Sequence, residues 1–246
     1  MTPEELLLAA LFFAAALLYS SVGHAGASAY LAAMALLGVP VAIMRPTALV
    51  LNLFVASIVT VRFARAGHLP WRSLVPLAIG SIPAAYIGGS IDLPGELYRL
   101  LVAAVLVVAA WRLATTPLTT DDKDHPGVPW LAGIASGATI GLLAGLTGTG
   151  GGIFLTPLLV LTGWTGTRDA AGLSGSFILV NSIAGLAGLQ GGGLVLAPGL
   201  PLWIASVLAG GLIGSWLGAT RYSVLSLRRA LAFVLVLAAA KLVFLP

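Results

Sequence analysis

The sequence has no cysteine and very little charge. Of its 246 residues, only 8% are Asp, Glu, Lys or Arg and 59% are hydrophobic, whereas a soluble domain carries about 25% charged residues. The missing cysteines exclude disulfides, thiolate metal sites and cysteine nucleophiles. The segment Met1–Glu5 contains no Lys or Arg, which a secretory signal would need, so we expect residues 6–20 to form a structural helix.

Charge is missing from long continuous stretches. A helix needs about 20 predominantly apolar residues to cross a bilayer, and several uncharged runs reach or exceed that length. They predict an all-α polytopic membrane protein, in which the net charge of +4 reflects basic loops and indicates no nucleic-acid partner. The uncharged runs are Leu6–Met44, Pro46–Val61, Ser73–Ile91, His125–Thr167 and Ala170–Thr220.

The stretch 145–163 has apolar flanks but a composition that a helix interior avoids. Four of the five residues from Gly148 to Gly152 are glycine, which permits positive φ and close approach but weakens a helix. Within lipid, broken backbone persists only where protein or a watery cavity satisfies its polar groups. The stretch therefore predicts a helix break that lines a site; a tight helix crossing is the alternative.

The chain repeats its own order of elements. A shift of 125 residues places Gly23 on Gly148 and Gly26 on Gly151, which indicates an internal duplication. We predict two repeats, residues 1–114 and 128–246, joined by a polar linker at 115–127. Each repeat is a broken or re-entrant helix pair followed by three transmembrane helices, which gives about eight spans when each broken pair counts as one.

The predicted helices follow from the apolar runs and the residues that interrupt them. A shift of 130 residues also aligns two stripes of small residues, Gly80-Ala84-Gly88 and Gly210-Gly214-Gly218, which we expect to pack helices closely. The predicted helices are Leu6–Ser20, Ala29–Leu37, Pro46–Ala66, Trp71–Ile91, Glu96–Ala114, Val128–Leu146, Ile153–Leu161, Asp169–Gln190, Pro198–Ala219 and Leu227–Phe244.

The number of crossings in each repeat decides the orientation. A broken pair returns the chain to its starting side and three spans then cross, so the second repeat is inverted relative to the first. The positive-inside rule supports this arrangement, because the basic residues then divide nine to three; both termini would lie outside the cytoplasm and the linker inside. The nine are Arg62, Arg65, Arg72, Arg112, Lys123, Arg168, Arg221, Arg228 and Arg229, and the three are Arg45, Arg99 and Lys241.

Inverted repeats with interrupted helices are typical of secondary transporters, whose sites lie near the midplane between the repeats. Half-helices that begin near Ala27 and Gly152 would direct free N–H groups and a positive dipole end at the breaks. No carboxylate lies near either break, so the pattern favours a small anion. The candidate binding residues are Gly23, His24, Gly26, Asn52, Thr147, Gly148, Thr149, Gly150, Gly151, Gly152, Ser174, Ser176 and Asn181.

Several polar residues have a second interpretation. His24 either donates to an anion or carries a proton, or it is a structural side chain held by a neighbouring carbonyl. The two threonines before the glycines, and the amides of Asn52 and Asn181, serve equally well as ligands or as local and interhelical hydrogen-bond partners. Arg45 is expected either to draw anions to the mouth of the site or to snorkel.

Other motifs are missing from the glycine run. It is not a P-loop, because no Gly-Lys-Ser/Thr sequence follows, and it is not a dinucleotide fingerprint, because Ile153 occupies the place of the last glycine. The sequence shows no metal-ligand set and no paired intramembrane carboxylates. We therefore predict that the protein has no cofactor and is not an enzyme.

Three segments carry a resemblance to a known family. They are the run Leu146–Leu159, its echo at Gly23–Gly26, and Gly-Leu-Ser-Gly-Ser-Phe at 172–177. They resemble the TauE/SafE family of sulfite exporter-like permeases, and the similarity extends over nearly the whole chain. In the first copy, His24 and Ala25 stand where glycine is common in the family.

The resemblance implies a permease that exports or takes up sulfite, sulfonates or related sulfur-containing and carboxylate anions. It implies a multi-pass protein of the inner cell membrane, with a small anion and the lipid bilayer as partners, and with protons where transport is coupled. A homo-oligomer is compatible with the sequence. An anion channel and a carrier of small carboxylates remain the alternatives to a carrier of sulfite or an organosulfur anion.

Overall fold

The computed structural model describes residues 2–115, 125–189, 195–217 and 225–244. Within these ranges the chain forms ten α-helices and no β-strand, as the uncharged runs predict. In chain order the helices are α1 (Pro3–Ser20), α2 (Ala27–Leu36), α3 (Val41–Arg65), α4 (Trp71–Ser90), α5 (Gly95–Thr115), α6 (Trp130–Thr147), α7 (Gly152–Leu161), α8 (Thr167–Leu189), α9 (Leu200–Leu217) and α10 (Leu225–Phe244).

Helix α3 differs most from its predicted bounds. The sequence suggests a start at Pro46, because proline is best tolerated in the first turn of a helix, yet α3 begins at Val41 and Pro46 lies inside it. The other described bounds lie within three residues of prediction. The predicted ends at Gln190 and Ala219, and most of the 115–127 linker, fall outside the described residues.

The helix lengths match a membrane protein with two half-spans. Six helices are long and apolar enough to cross a membrane, namely α1, α3, α4, α6, α8 and α9. Helices α5 and α10, with 21 and 20 residues, also reach the length of a span of about 20 residues. In contrast, α2 and α7 have 10 residues each and rise about 15 Å, which is half of the apolar core. The chain is therefore a multi-pass membrane protein.

Left-handed glycines produce the two breaks. Gly148 caps the C-terminus of α6 with φ 83°, and Gly151 precedes α7 with φ 85°. In the first half, Gly26 precedes α2 with φ 101°. A residue in this conformation ends a helix, and only glycine adopts it without steric cost. The glycines therefore fix where each broken pair is interrupted, as the sequence predicts.

The helix contacts are those of two structural repeats, in which α1–α5 correspond to α6–α10 in the same order. When α1–α5 are exchanged with α6–α10, the pair α1–α9 becomes α6–α4, and α4–α8 becomes α9–α3; each of these pairs is in contact. The remaining central pairs, α3–α8 and α5–α10, map onto themselves and are also in contact. The fold is therefore built from two equivalent halves that pack through the middle of the molecule.

The directions of the helices show that the halves are inverted. Along the α3–α8 contact, Val59 packs on Gly175 whereas Leu49 packs on Gly185, so these equivalent helices run antiparallel. Equivalent helices would run parallel if the repeats had the same orientation. The antiparallel pair therefore supports the inversion that the crossings predict.

The stripes of small residues are helix contacts. Gly80 and Gly88 of α4 lie against main-chain atoms of Ile134 and Leu142 in α6, and Gly210 of α9 lies against Phe13 of α1. Any side chain at these glycines would meet backbone rather than a movable group. This confirms their predicted packing role; the last member of the second stripe, residue 218, is outside the described residues.

Candidate functional site

The two breaks meet beside the middle of the central helix pair. The His24 Nε2 atom lies 3.2 Å from the Gly152 carbonyl oxygen, which joins the first break directly to the first residue of α7. A side chain at Gly152 would also contact Ile178, the midpoint of α8, and one at Gly150 would contact Asn52, near the midpoint of α3. The structure therefore brings together two segments that are about 125 residues apart in the sequence.

The second break presents a row of unsatisfied main-chain donors. The N–H groups of the five residues Thr149–Ile153 donate to no acceptor in the described part of the chain. Residues Thr147–Gly152 are all buried, and buried N–H groups without a partner are rare in proteins. Consecutive N–H groups around left-handed glycines form an anion-binding concavity, and the start of α7 adds its positive dipole end.

The first break repeats this arrangement on a smaller scale. The N–H groups of residues 25–28 likewise find no acceptor among the described residues. Gly26 is the left-handed residue before α2 and packs against Tyr30, whose hydroxyl donates to the Ala25 carbonyl. Gly23 packs against Ala171 of α8. The start of α2 is thus an equivalent donor end.

Asn52 is the side chain aimed at the second break. It is fully buried, and neither its amide nitrogen nor its amide oxygen has a hydrogen-bond partner in the described structure. A Cβ atom at Gly150 would lie 2.9 Å from the Asn52 Nδ2 atom. The N–H row and the Asn52 amide therefore lie next to each other, and both offer donors that no acceptor in the described part of the chain uses.

Asn181 lies on α8 at a similar level. It is also fully buried with an unpartnered amide, as is the hydroxyl of Ser182. In the antiparallel packing of α3 on α8, Leu49 faces Gly185, so a three-residue step along each helix sets position 52 level with position 182. The structure thus places both predicted amides at the centre of the α3–α8 pair.

His24 joins the breaks through a chain of polar groups. Its Nδ1 atom lies 3.1 Å from the Val22 carbonyl, and its Nε2 atom lies 3.1 Å from the Thr156 hydroxyl. Thr156 in turn shares a 2.6 Å hydrogen bond with Ser174 of α8. Thr156 is absent from the sequence-based candidates, although it is the only polar side chain within Gly152–Leu161, and this was the available signal.

Three predicted hydroxyl residues are engaged locally. Thr147 donates to the Leu143 carbonyl at 2.7 Å, and its hydroxyl lies 2.9 Å from that of Thr149. The Ser176 hydroxyl donates to the Gly172 carbonyl of its own helix at 3.1 Å. Thr147 thus makes the local bond that was its alternative interpretation and pairs with Thr149, and Ser176 also bonds within its own helix.

Arg45 differs from both of its predicted roles. It neither stands at the mouth nor snorkels, because it is 6% exposed inside α3. Its guanidinium donates to the carbonyls of Gly145 at 2.8 Å and Ile91 at 3.0 Å, and to that of Gly88. The backbone of Arg45 also lies against Gly148. The sequence gives no hint of this role, since the three carbonyls belong to the ends of two other helices.

Arg45 also changes the electrostatics of the second break. The C-terminal carbonyls of α6 would bring a negative dipole end close to the start of α7. Arg45 binds one of them, at Gly145, and the Tyr98 hydroxyl donates to the Thr147 carbonyl at 3.1 Å. The negative end of α6 is thereby covered by donors, while the positive end of α7 is left open to the site.

Different charged side chains lie at the two ends of the molecule. At one end His68 pairs with Asp169 at 3.0 Å, and His125 lies 3.1 Å from the Gly163 carbonyl. At the other end a cavity of about 380 Å³ is lined by Arg99 and Lys241 together with apolar residues near the end of α2. None of these charged groups belongs to either break.

Comparison with known proteins supports a transport role. A family model described as "Sulfite exporter TauE/SafE" matches residues 7–242. The chain is 39% identical to the "Probable membrane transporter protein y4hK" of Sinorhizobium fredii, over 99% of this chain and 100% of the relative. It is 27% identical to the "Probable membrane transporter protein ORF9" of a Sinorhizobium species, over 87% of this chain and 80% of the relative. No solved structure matches. The chain is therefore a membrane transporter and belongs to the sulfite exporter TauE/SafE family.

Proposed function

We propose that this transporter is a secondary carrier of a small anion, which binds in the second break between Asn52 and the first turn of α7. The observation that carries the proposal is the row of free N–H groups at Thr149–Ile153, buried from Thr149 to Gly152 and beside an unpartnered amide. Each buried polar group without a partner costs about 1–3 kcal/mol. An anion that accepts from several of them at once would remove that cost.

The number of donors favours an oxyanion with several oxygens. The break offers five consecutive main-chain N–H groups, and Asn52 adds a side-chain donor. Sulfite, thiosulfate and sulfonates present oxygens in three dimensions, whereas a carboxylate presents two in one plane. Together with the family to which the chain belongs, this supports sulfite or a related organosulfur anion as substrate. Small carboxylates are the alternative.

The closed packing of the breaks supports a carrier over an open channel. Residues Thr147–Gly152 are buried, and the His24 ring lies against Gly152. An anion in this place would be shielded from both sides of the membrane. A carrier passes through such a closed state as it alternates between openings, because the repeats rock around a fixed site. Saturable exchange flux would distinguish the carrier from a channel.

The orientation follows from the charges at the two ends. The end that holds the α3–α4 and α7–α8 loops also carries Arg62, Arg65, Arg72 and Arg168, whereas Arg99 and Lys241 belong to the opposite end. By the positive-inside rule the first end faces the cytoplasm. We infer a multi-pass protein of the inner membrane with both termini outside the cytoplasm.

Single-cysteine labelling tests this orientation directly, because the native chain contains no cysteine. Glu4→Cys, at an exposed position in the first turn of α1, should react with a membrane-impermeant maleimide in intact cells. Asp122→Cys, in the linker, should react only after the membrane is opened. The reverse labelling pattern would contradict the proposed orientation.

Replacement of Asn52 by leucine tests the anion site. The leucine keeps a similar volume but removes the donor, and a hydrogen bond to a charged partner contributes about 1.5–3 kcal/mol. We therefore expect anion affinity to fall roughly ten- to hundredfold. The measurement is the thermal stabilisation of purified protein by sulfite, thiosulfate, sulfoacetate, taurine and short carboxylates, because a ligand that binds the folded state stabilises it by mass action.

Ser57→Ala is the matched control on the same helix. The Ser57 hydroxyl is exposed and donates to the Leu53 carbonyl, so its loss should leave the stabilisation by anions unchanged. Equal stabilisation of Asn52→Leu and the native protein, by the same anion and with the same dose dependence, would remove Asn52 from the site. Stabilisation by cations instead of anions would overturn the proposed charge of the substrate.

A further inference from the structure

We propose that His24 is a proton-binding site of the carrier and that the proton bound there moves together with the anion. This inference rests on the proposed function, since a coupled proton requires a transported anion. The feature that supports it is the position of the imidazole ring. It lies between two carbonyl oxygens, one from each break, and beside a chain of two hydroxyl groups.

The hydrogen-bond partners of the His24 ring favour a second proton on it. The Nδ1 atom faces the Val22 carbonyl at 3.1 Å, and the Nε2 atom faces the Gly152 carbonyl at 3.2 Å. A carbonyl oxygen can only accept, so each of these contacts is a hydrogen bond only when the ring nitrogen carries a hydrogen. Neutral imidazole has one N–H group and imidazolium has two. The two contacts of the ring are therefore both hydrogen bonds only when the ring is protonated.

The neighbouring hydroxyls allow the ring to hold either state. When His24 is neutral and Nδ1 donates to Val22, its Nε2 lone pair can accept from the Thr156 hydroxyl at 3.1 Å. Thr156 can then accept from Ser174, at 2.6 Å. When a proton binds to Nε2, that atom donates instead, and the Thr156 hydroxyl can turn its hydrogen towards Ser174. Protonation thus reverses a short chain and adds a bond from His24 to Gly152.

The added bond connects proton binding to the transport machinery. Val22 belongs to the first break and Gly152 is the first residue of α7, so protonated His24 ties the two repeats together at the site. The new charge also stands next to the N–H row that is proposed to hold the anion. Proton and anion should therefore strengthen each other's binding, and this coupling is reciprocal.

The titratable groups around the ring come from several elements. From α1, Tyr19 lies edge-on with a ring-centroid distance of 6.4 Å, and from α2 comes Tyr30, bonded to Ala25. Helix α7 contains no titratable residue. From α8, Arg168 and Asp169 lie in the first turn, where Asp169 pairs with His68. Among these groups only Asp169 is a carboxylate, and it is paired with His68. The negative charge of the substrate would therefore balance the imidazolium.

Proteoliposomes loaded with a pH-sensitive dye test the coupling. The probes are thiosulfate and sulfoacetate, which do not themselves titrate near neutral pH. The native protein should carry protons with the anion, and anion uptake should rise as the outer pH falls. In His24→Gln we expect proton flux at the background level, anion flux that no longer depends on pH, and about tenfold weaker anion binding at low pH.

The other two histidines provide matched controls, because the chain contains three in all. His68→Gln and His125→Gln remove titratable rings that bond to Asp169 and to the Gly163 carbonyl, neither of which belongs to a break. Both variants should keep the native ratio of protons to anions and the native pH profile. An unchanged ratio and profile in His24→Gln would overturn the proposal.

A spectroscopic titration decides the proton site independently of transport. With ¹⁵N-labelled histidine, the ring signal that disappears in His24→Gln identifies His24 in the native protein. That signal should change from one to two N–H groups as the pH is lowered, and at a higher pH when thiosulfate is bound. A ring that stays neutral throughout would overturn the proton site even if anions are carried. Failure of every anion to bind or move, with a titrating His24, would instead overturn the anion carrier.

Discussion

Replacement of Gly150 by leucine is expected to abolish anion transport while the protein still inserts into the membrane. Gly150 has φ 73°, and a Cβ atom there would lie 2.7 Å from Ile178 and 2.9 Å from the Asn52 amide. A side chain would therefore fill the space between the N–H row and Asn52 and would force a strained backbone. Gly151→Leu should act in the same way, because it would meet Ile140 and Phe177. Flux into proteoliposomes is the measurement.

Gly163→Ala separates backbone strain from blockage of the site. Gly163 also has a positive φ, of 67°, but nothing lies within 4 Å of its Cβ position. Its replacement should lower stability by about 1–2 kcal/mol and leave transport intact. Gly150→Ala, the milder variant, covers the case in which the leucine protein does not assemble. Native flux in Gly150→Ala and Gly150→Leu would show that these glycines serve only in packing.

Replacement of Arg45 by methionine is expected to cause the largest loss of stability. The methionine keeps an unbranched chain but leaves the carbonyls of Gly88, Ile91 and Gly145 without the donor that now binds them. Each buried acceptor left unsatisfied costs about 1–3 kcal/mol. The junction of α3, α4 and α6 should loosen, with a large drop in the temperature of unfolding and loss of transport. Thermal unfolding of detergent-purified protein gives the result.

Two variants sharpen this test. Arg72→Met removes an exposed arginine at the start of α4 and should leave the unfolding temperature nearly unchanged. Arg45→Lys keeps the charge, but a compact ammonium cannot reproduce the spread of the guanidinium donors, so we expect an intermediate loss. An Arg45→Met protein as stable as the native chain would show that the three carbonyls do not need this side chain.

The helices and their breaks could be predicted from the sequence because each depends on the local composition of the chain. Uncharged runs long enough to span a bilayer predict helices, and α4 and α7 begin within one residue of prediction. The breaks were equally predictable, because left-handed glycines at Gly26, Gly148 and Gly151 are needed wherever the chain must leave a helix inside a membrane. The repeat then made the breaks equivalent before any contact was known.

The partners of individual side chains depended on tertiary structure. Arg45 next to Pro46 looked like a charge at a helix end, but its guanidinium reaches carbonyls of residues 88, 91 and 145. Ser174 and Ser176 looked alike in sequence, yet only Ser174 faces Thr156. A side chain's direction is set by the rotation of its helix against its neighbours, and no local pattern records that rotation.

The sequence by itself determined that this is a polytopic helical membrane protein of two repeats with glycine breaks, since composition and spacing act locally along the chain. Only the tertiary structure decided that His24 touches Gly152 and that Asn52 faces Gly150. The physical reason is that these contacts join segments about a hundred residues apart in the sequence. Their geometry depends on the antiparallel packing of α3 against α8 at the centre of the molecule.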